Sequence, residues 1–209
     1  MKRIIKDKPP DFFEQWKLDY LAIHGKEPTF GNDFHGPQKQ RLKETLLDEQ
    51  GYICCYCMQR IGDYNSHLEH FKPQSKYPAN DLDYDNILVS CDGYKLDASH
   101  CGHRKGPWYN EALIVSPLDE DVEAVFTYNA DGTINASGYG GKETIKQLEL
   151  NSFRLQRLRK SAIYSSGLFD RDFDIIKDQL IELYSNRQQD GKYCPFCVAV
   201  LYCIGDTSR

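Results

Sequence analysis

Positive charge is the first thing the chain is short of. Its 26 lysines and arginines are outnumbered by 31 acidic residues, giving a formal net charge of −5. The field of the whole molecule therefore does not attract nucleic acid, and any grip on phosphate must come from a local basic patch or a partner. Long apolar runs are also missing. The longest, Cys194 to Ile204, is too short to span a bilayer, so no membrane role is expected. The opening MKRII runs straight into DKPPDFF, without the apolar stretch or small-residue cleavage site of a signal peptide. No repeat, low-complexity tract or clear linker interrupts the 209 residues, and no RNA-module signature or groove-reading helix stands out.

Cysteine, by contrast, is plentiful, with eight residues in the chain. The missing export signal predicts a reducing cytoplasm, where cysteines in CxxC spacing bind metal or sit buried more often than they form disulfides.

The flanks read as helical. Pro9, Pro10 and Asp11 precede Phe12, Phe13, Trp16, Tyr20 and Leu21 at helical spacing, which predicts an amphipathic helix ending before Gly25. Leu42, Leu46 and Leu47 define a second helix over Gln38 to Gln50, closed by Gly51. AVFTY (124–128) and Ile134 flank Asn129-Ala-Asp-Gly132, a hairpin signal, and helical sequence is expected from Lys142 to about Leu168 and from Phe173 to Tyr184. The expected class is α+β, with a helical segment over 1–50, a ligand-organised core over 51–110 and a hairpin plus helical extension over 111–209. These are expected to form one continuous domain.

Within the middle segment, Cys54 and Cys57 form a CxxC, and Cys91 and Cys101 can complete the four-thiolate tetrahedron that a structural Zn²⁺ takes. Nine residues separate the second pair, so His100 or His103 could replace Cys101. Cys55 reads as a packed bystander, and Cys194, Cys197 and Cys203 lie in sequence apolar enough to be core rather than a second zinc or redox pair. Between the cysteine pairs run His67-Leu-Glu69-His70-Phe-Lys-Pro73-Gln-Ser75 and Asp85-Asn86-Ile-Leu-Val-Ser-Cys91. Phosphodiester hydrolysis needs a base for the attacking water and a cation for the phosphate, and this segment offers candidates for both. Adjacent strand residues face opposite ways, so Glu69 and His70 can share a site only where the strand is distorted or ends. His67 reads as a bracket for the hairpin or an outer-shell neighbour of the metal, and Asp83 and Asp85 as loop caps.

The ordered set CxxC, HxEHxxPxS, DN, C and C then xxxK resembles HNH endonucleases. More narrowly, CCYCMQRI, LEHFKPQS, DYDNILVSC and CGHRKG resemble the retron-associated and Septu-type HNH proteins, the PtuB group. The resemblance implies a ββα-metal (HNH) core with a structural zinc knuckle, embedded in flanking helices. It implies His70 as general base and a catalytic Mg²⁺ or Mn²⁺ on Glu69 and Asn86. Asn86 has a second possible role, hydrogen-bonding the loop that orients the base. The last HNH residue usually follows the final cysteine directly; here Gly102 stands there and His103 one place later, making His103 the uncertain third ligand. Lys72, Lys76, Arg104 and Lys105 are expected phosphate contacts, whereas Arg154, Arg157, Arg159 and Lys160 read as a solvated helix face. The resemblance further implies anti-phage defence, an ABC-type ATPase partner and, in a retron, a reverse transcriptase with its nucleic-acid product. DNA is favoured as substrate by the family alone. RNA, or a non-catalytic zinc-stapled module for binding nucleic acid or a partner, remain as alternatives.

Overall fold

The computed structural model describes residues 1–93 and 100–206. Helix α1 (Asp11–His24) starts after Pro10, carries Asp11 and Glu14 where the helix dipole favours acid, and stops at Gly25, whose φ of +66° an L side chain resists. Its Phe13 is fully buried beside Phe34 and Tyr84. Helix α2 (Gly36–Glu49) has proline in its first turn and turns Leu42, Leu46 and Leu47 inward. Gln50 then locks α2 to the site, because its side-chain amide donates to the Ile53 and Val89 carbonyls and accepts from Val89 N–H.

After a turn containing Cys54 and Cys57, two short strands form an antiparallel pair. Strand β1 (Ser66–His70) lies against β2 (Ile87–Cys91), with His67 opposite Ser90 and Glu69 opposite Leu88. All five residues of β2 are buried. Asp83 caps the loop before β2, its carboxylate accepting from Asp85 N–H. The short helix α3 (Gly102–Lys105) begins directly after Cys101, and Gly102 N–H donates to the buried Ser90 hydroxyl.

Beyond α4 (Val122–Val125), strands β3 (Phe126–Tyr128) and β4 (Ile134–Ala136) form the expected hairpin around Gly132. The helical sequence expected from 142 to 168 is divided into α5 (Tyr139–Gln147) and α6 (Phe153–Tyr164). The cause is local: Asn151 spends its side chain on both backbone groups of Ile134, Glu149 adopts φ +52°, and Ser152 caps α6. Arg159 departs from the solvated face expected for its neighbours, since it is 1% exposed and its guanidinium donates to the Gly132 and Leu150 carbonyls. It pins the hairpin to α6. Helices α7 (Phe173–Ser185) and α8 (Cys197–Asp206) follow, α8 burying Cys197, Ala199, Val200, Cys203 and Ile204.

The buried apolar cluster draws on residues from Met1 to Ile204, so it includes all three sequence segments. The C-terminal part also clasps the cysteine turn. Tyr193 N–H donates to the Gly51 carbonyl, Phe196 N–H to Met58, and Arg60 reaches back to the Tyr193 carbonyl. No helix among the described residues is long and apolar enough to cross a membrane.

Candidate functional site

Four sulfurs meet where the cysteine turn, the end of β2 and the start of α3 converge. Cys54, Cys57, Cys91 and Cys101 are all buried, and their Sγ atoms lie within 4.8 Å of one another. Tetrahedral zinc with Zn–S bonds near 2.3 Å separates its sulfurs by about 3.8 Å, and Cys57 and Cys91 are 3.8 Å apart. Cys54 Sγ also accepts from Cys91 N–H at 3.3 Å, a contact that suits a thiolate. Burial opposes ionisation of Cys54, but hydrogen bonds from Cys101, Cys55, Cys57 and Cys91 outweigh it and hold that thiol well below its ordinary value. This is a buried cluster able to hold a metal ion such as zinc. His100 is next to it, with Nδ1 3.3 Å from Cys101 and 3.6 Å from Cys91. Cys101 itself completes the four. Cys55 is buried outside them, and Cys194, Cys197 and Cys203 form no such group among the described residues.

Beside this cluster, a groove of about 530 Å³ is lined by His67, Glu69, His70, Gly102, His103 and Lys105, among others. Most of the residues marked out in the sequence therefore face one space. Strand β1 ends at His70, so Glu69 and its neighbour both reach it. His70 Nε2 lies 2.9 Å from the Asp81 carbonyl. A carbonyl only accepts, so Nε2 carries the proton and Nδ1 keeps its lone pair. Burial pushes the His70 pKa below its ordinary value, favouring the neutral ring. Phe30 stands edge-on to that ring at 4.4 Å.

Asn86 holds the loop that carries this arrangement. Its Oδ1 accepts from Lys72 N–H at 2.6 Å, while Nδ2 donates to the Lys72 and Asn80 carbonyls at 3.1 and 2.8 Å. Those contacts match the loop-bracing role and leave its oxygen already engaged.

Glu69 is likewise engaged. Its Oε1 is 2.9 Å from Lys105 Nζ and accepts from the Tyr56 hydroxyl at 3.1 Å, and Oε2 is 3.5 Å from His67 Nε2. Burial favours the neutral acid, yet His67 and Lys105 prevail and hold the Glu69 pKa below its ordinary value. Lys105 thus departs from the expected phosphate contact. It is buried, and its remaining reach goes to the His70 carbonyl at 2.8 Å. Lys76 and Arg104 are exposed and Lys72 half-buried. Sequence reasoning passed over Tyr56 and Asp92. The second was findable, because Asp92 directly follows Cys91 at the end of β2, where it meets His67 Nδ1 at 3.1 Å.

Buried thiols able to hold a metal lie beside a groove lined by Glu69 and His70 in a mixed α and β protein. Comparison with known proteins adds the group. The chain is 28% identical to the retron Vc95 putative HNH endonuclease of Vibrio cholerae serotype O1 biovar El Tor, over 69% of this chain and 76% of that protein. It is 25% identical to the retron Ec83 putative HNH endonuclease of Escherichia coli, over 78% of this chain and 80% of that one. Septu protein PtuB of Bacillus thuringiensis is 26% identical over 75% of this chain and 56% of its own length. No family model matches. The resemblance to retron-associated HNH proteins and PtuB therefore extends over most of the chain and well beyond its motifs.

Proposed function

We propose that the protein is an HNH endonuclease that hydrolyses phosphodiester bonds, with β1, β2 and α3 as its ββα-metal core and zinc on Cys54, Cys57, Cys91 and Cys101. The observation that carries this reading is the 2.9 Å contact of His70 Nε2 with the Asp81 carbonyl. With Nε2–H held by the Asp81 carbonyl, Nδ1 can take a proton from a water attacking a phosphate in the groove. Asn86 contributes by bracing the loop on which Asp81 sits, so it positions the base.

A divalent cation, Mg²⁺ or Mn²⁺ in this reading, would stabilise charge on the phosphate and the leaving oxygen when bound. Glu69 and Asn86 fit that ion poorly as a pair, since Lys105, Tyr56 and Lys72 already hold oxygens of both. Lys72, Lys76 and Arg104 are the basic side chains proposed to meet the nucleic-acid backbone.

The names of the relatives favour a role in anti-phage defence, with DNA as the proposed substrate. The net charge of −5 favours help from a partner, proposed to be an ABC-type ATPase and, in a retron, a reverse transcriptase with its product. A time course on labelled plasmid and on RNA, with the neighbouring gene products present and metal and salt fixed, tests the reading. Wild-type protein should cut and His70→Ala should not. Equal rates for the two would refute the assignment of this site.

A further inference from the structure

Glu69 and Asn86 leave a cation poorly served, but His67 and His103 of the same groove meet Asp92 beside it. His67 and Glu69 are two apart on β1 and so share a face. Asp92 extends from the end of β2, and His103 rises from the first turn of α3. One ligand atom from each of His67, Asp92 and His103 lies within 4.8 Å of the others. His67 Nδ1 is 3.1 Å and His103 Nε2 3.9 Å from Asp92 Oδ1, and the two rings are 4.4 Å apart between centroids. Donors bound at about 2.1 Å to one ion are roughly 3.0–3.4 Å apart across octahedral or tetrahedral edges, so small side-chain shifts bring these three onto one centre.

The glycine at 102 explains why the site lies there. A Cβ at that position would come within 2.5 Å of Glu69 Oε2 and 2.7 Å of His67 Nε2. The space where a side chain following the last cysteine would project is filled instead by the meeting of Glu69 and His67. With Nε2 turned to Glu69, His67 Nδ1 faces Asp92, so an ion entering between the two would take that nitrogen while Glu69 orients the ligating imidazole. Lys105 pairs with Glu69, so a cation placed directly on Glu69 would face an ammonium, whereas Asp92 Oδ1 faces the imidazoles of His67 and His103.

We propose that His67, Asp92 and His103 form a second metal site, for a borderline divalent cation such as Mn²⁺ or Zn²⁺, with Glu69 as the positioning residue behind His67. Two imidazoles and one carboxylate select such an ion over Mg²⁺ or Ca²⁺, which take oxygen ligands. Three protein ligands leave open positions facing the groove, where a phosphate oxygen could enter. That last connection rests on the nuclease reading; the binding itself does not.

The test is a Mn²⁺ titration of protein whose thiolate cluster is already loaded with zinc, followed by electron paramagnetic resonance without nucleic acid. One further equivalent should bind. His67→Ala and Asp92→Asn should each weaken it at least tenfold while zinc content and circular dichroism stay unchanged, and Glu69→Gln should weaken it by about tenfold through the outer shell. If His67→Ala also loses the thiolate zinc, Asp92→Asn decides, being a near-isosteric change. Absence of a second equivalent overturns the proposal. So does an equivalent that survives Asp92→Asn unchanged but is lost in Glu69→Gln. Cleavage that fails although Mn²⁺ binds as described would count against the nuclease reading alone.

Discussion

The thiol cluster and the groove beside it share a hairpin but are built on opposite principles. In the cluster, four chemically identical side chains converge in a buried interior, where the Cys91 N–H and His100 also reach their sulfurs. In the groove nearly every polar atom already has a partner: Lys105 on Glu69, Asp81 on His70, Lys72 on Asn86, and Asp92 on His67. The first region is decided by ligand type and number. The second is decided by which lone pairs remain after the protein has used the others.

That contrast can be broken most forcefully at the cluster. Removing zinc with a chelator, or substituting Cys57→Ser, should unfold the segment from the cysteine turn to α3, since structural zinc can supply about 10–16 kcal/mol of folding free energy. Circular dichroism and zinc content would report it, and a folded, metal-free protein would show that the thiols serve as packing alone. In the groove, Lys105→Met leaves the buried Glu69 carboxylate without its cation. A loss of about 3–5 kcal/mol in denaturant unfolding is expected, and an unchanged midpoint would mean that Glu69 is satisfied without Lys105. Next in size, His70→Ala should leave stability and zinc content near wild type while slowing cleavage roughly a hundredfold or more, about 2.7 kcal/mol of barrier. Smallest is Cys55→Ala, which removes a buried sulfur outside the cluster. It should cost about 1 kcal/mol and no zinc, so a drop to substoichiometric zinc would make Cys55 a ligand.

The sequence made the first region legible and the second only in part. A CxxC and two later cysteines announce their chemistry by type, and that reading needed little geometry. Helix boundaries α1 and α2 were also readable, because Pro10, Gly25 and Gly51 mark them locally. The division of α5 from α6 was not, since it depends on Asn151 reaching a strand 17 residues earlier. Lys105 shows the same limit at the site. A lysine after CGHR looks like a phosphate contact until the fold brings Glu69 within 2.9 Å of it. Alternation along β1 sets His67 and Glu69 on one face, but the meeting of His67 with Asp92 depends on the strand register and was not legible.

The clasp made by Tyr193 and Phe196 on the cysteine turn has a consequence for the making of the protein. Cys101, the last of the four sulfurs, leaves the ribosome long before Phe196 does, and Cys101 N–H itself waits for the Leu148 carbonyl. At ordinary elongation rates that interval is about 5–20 s. During it the cysteine turn lacks the hydrogen bonds from Tyr193 and Phe196, so a nascent chain holding all four cysteines should hold a metal less tightly than the finished protein.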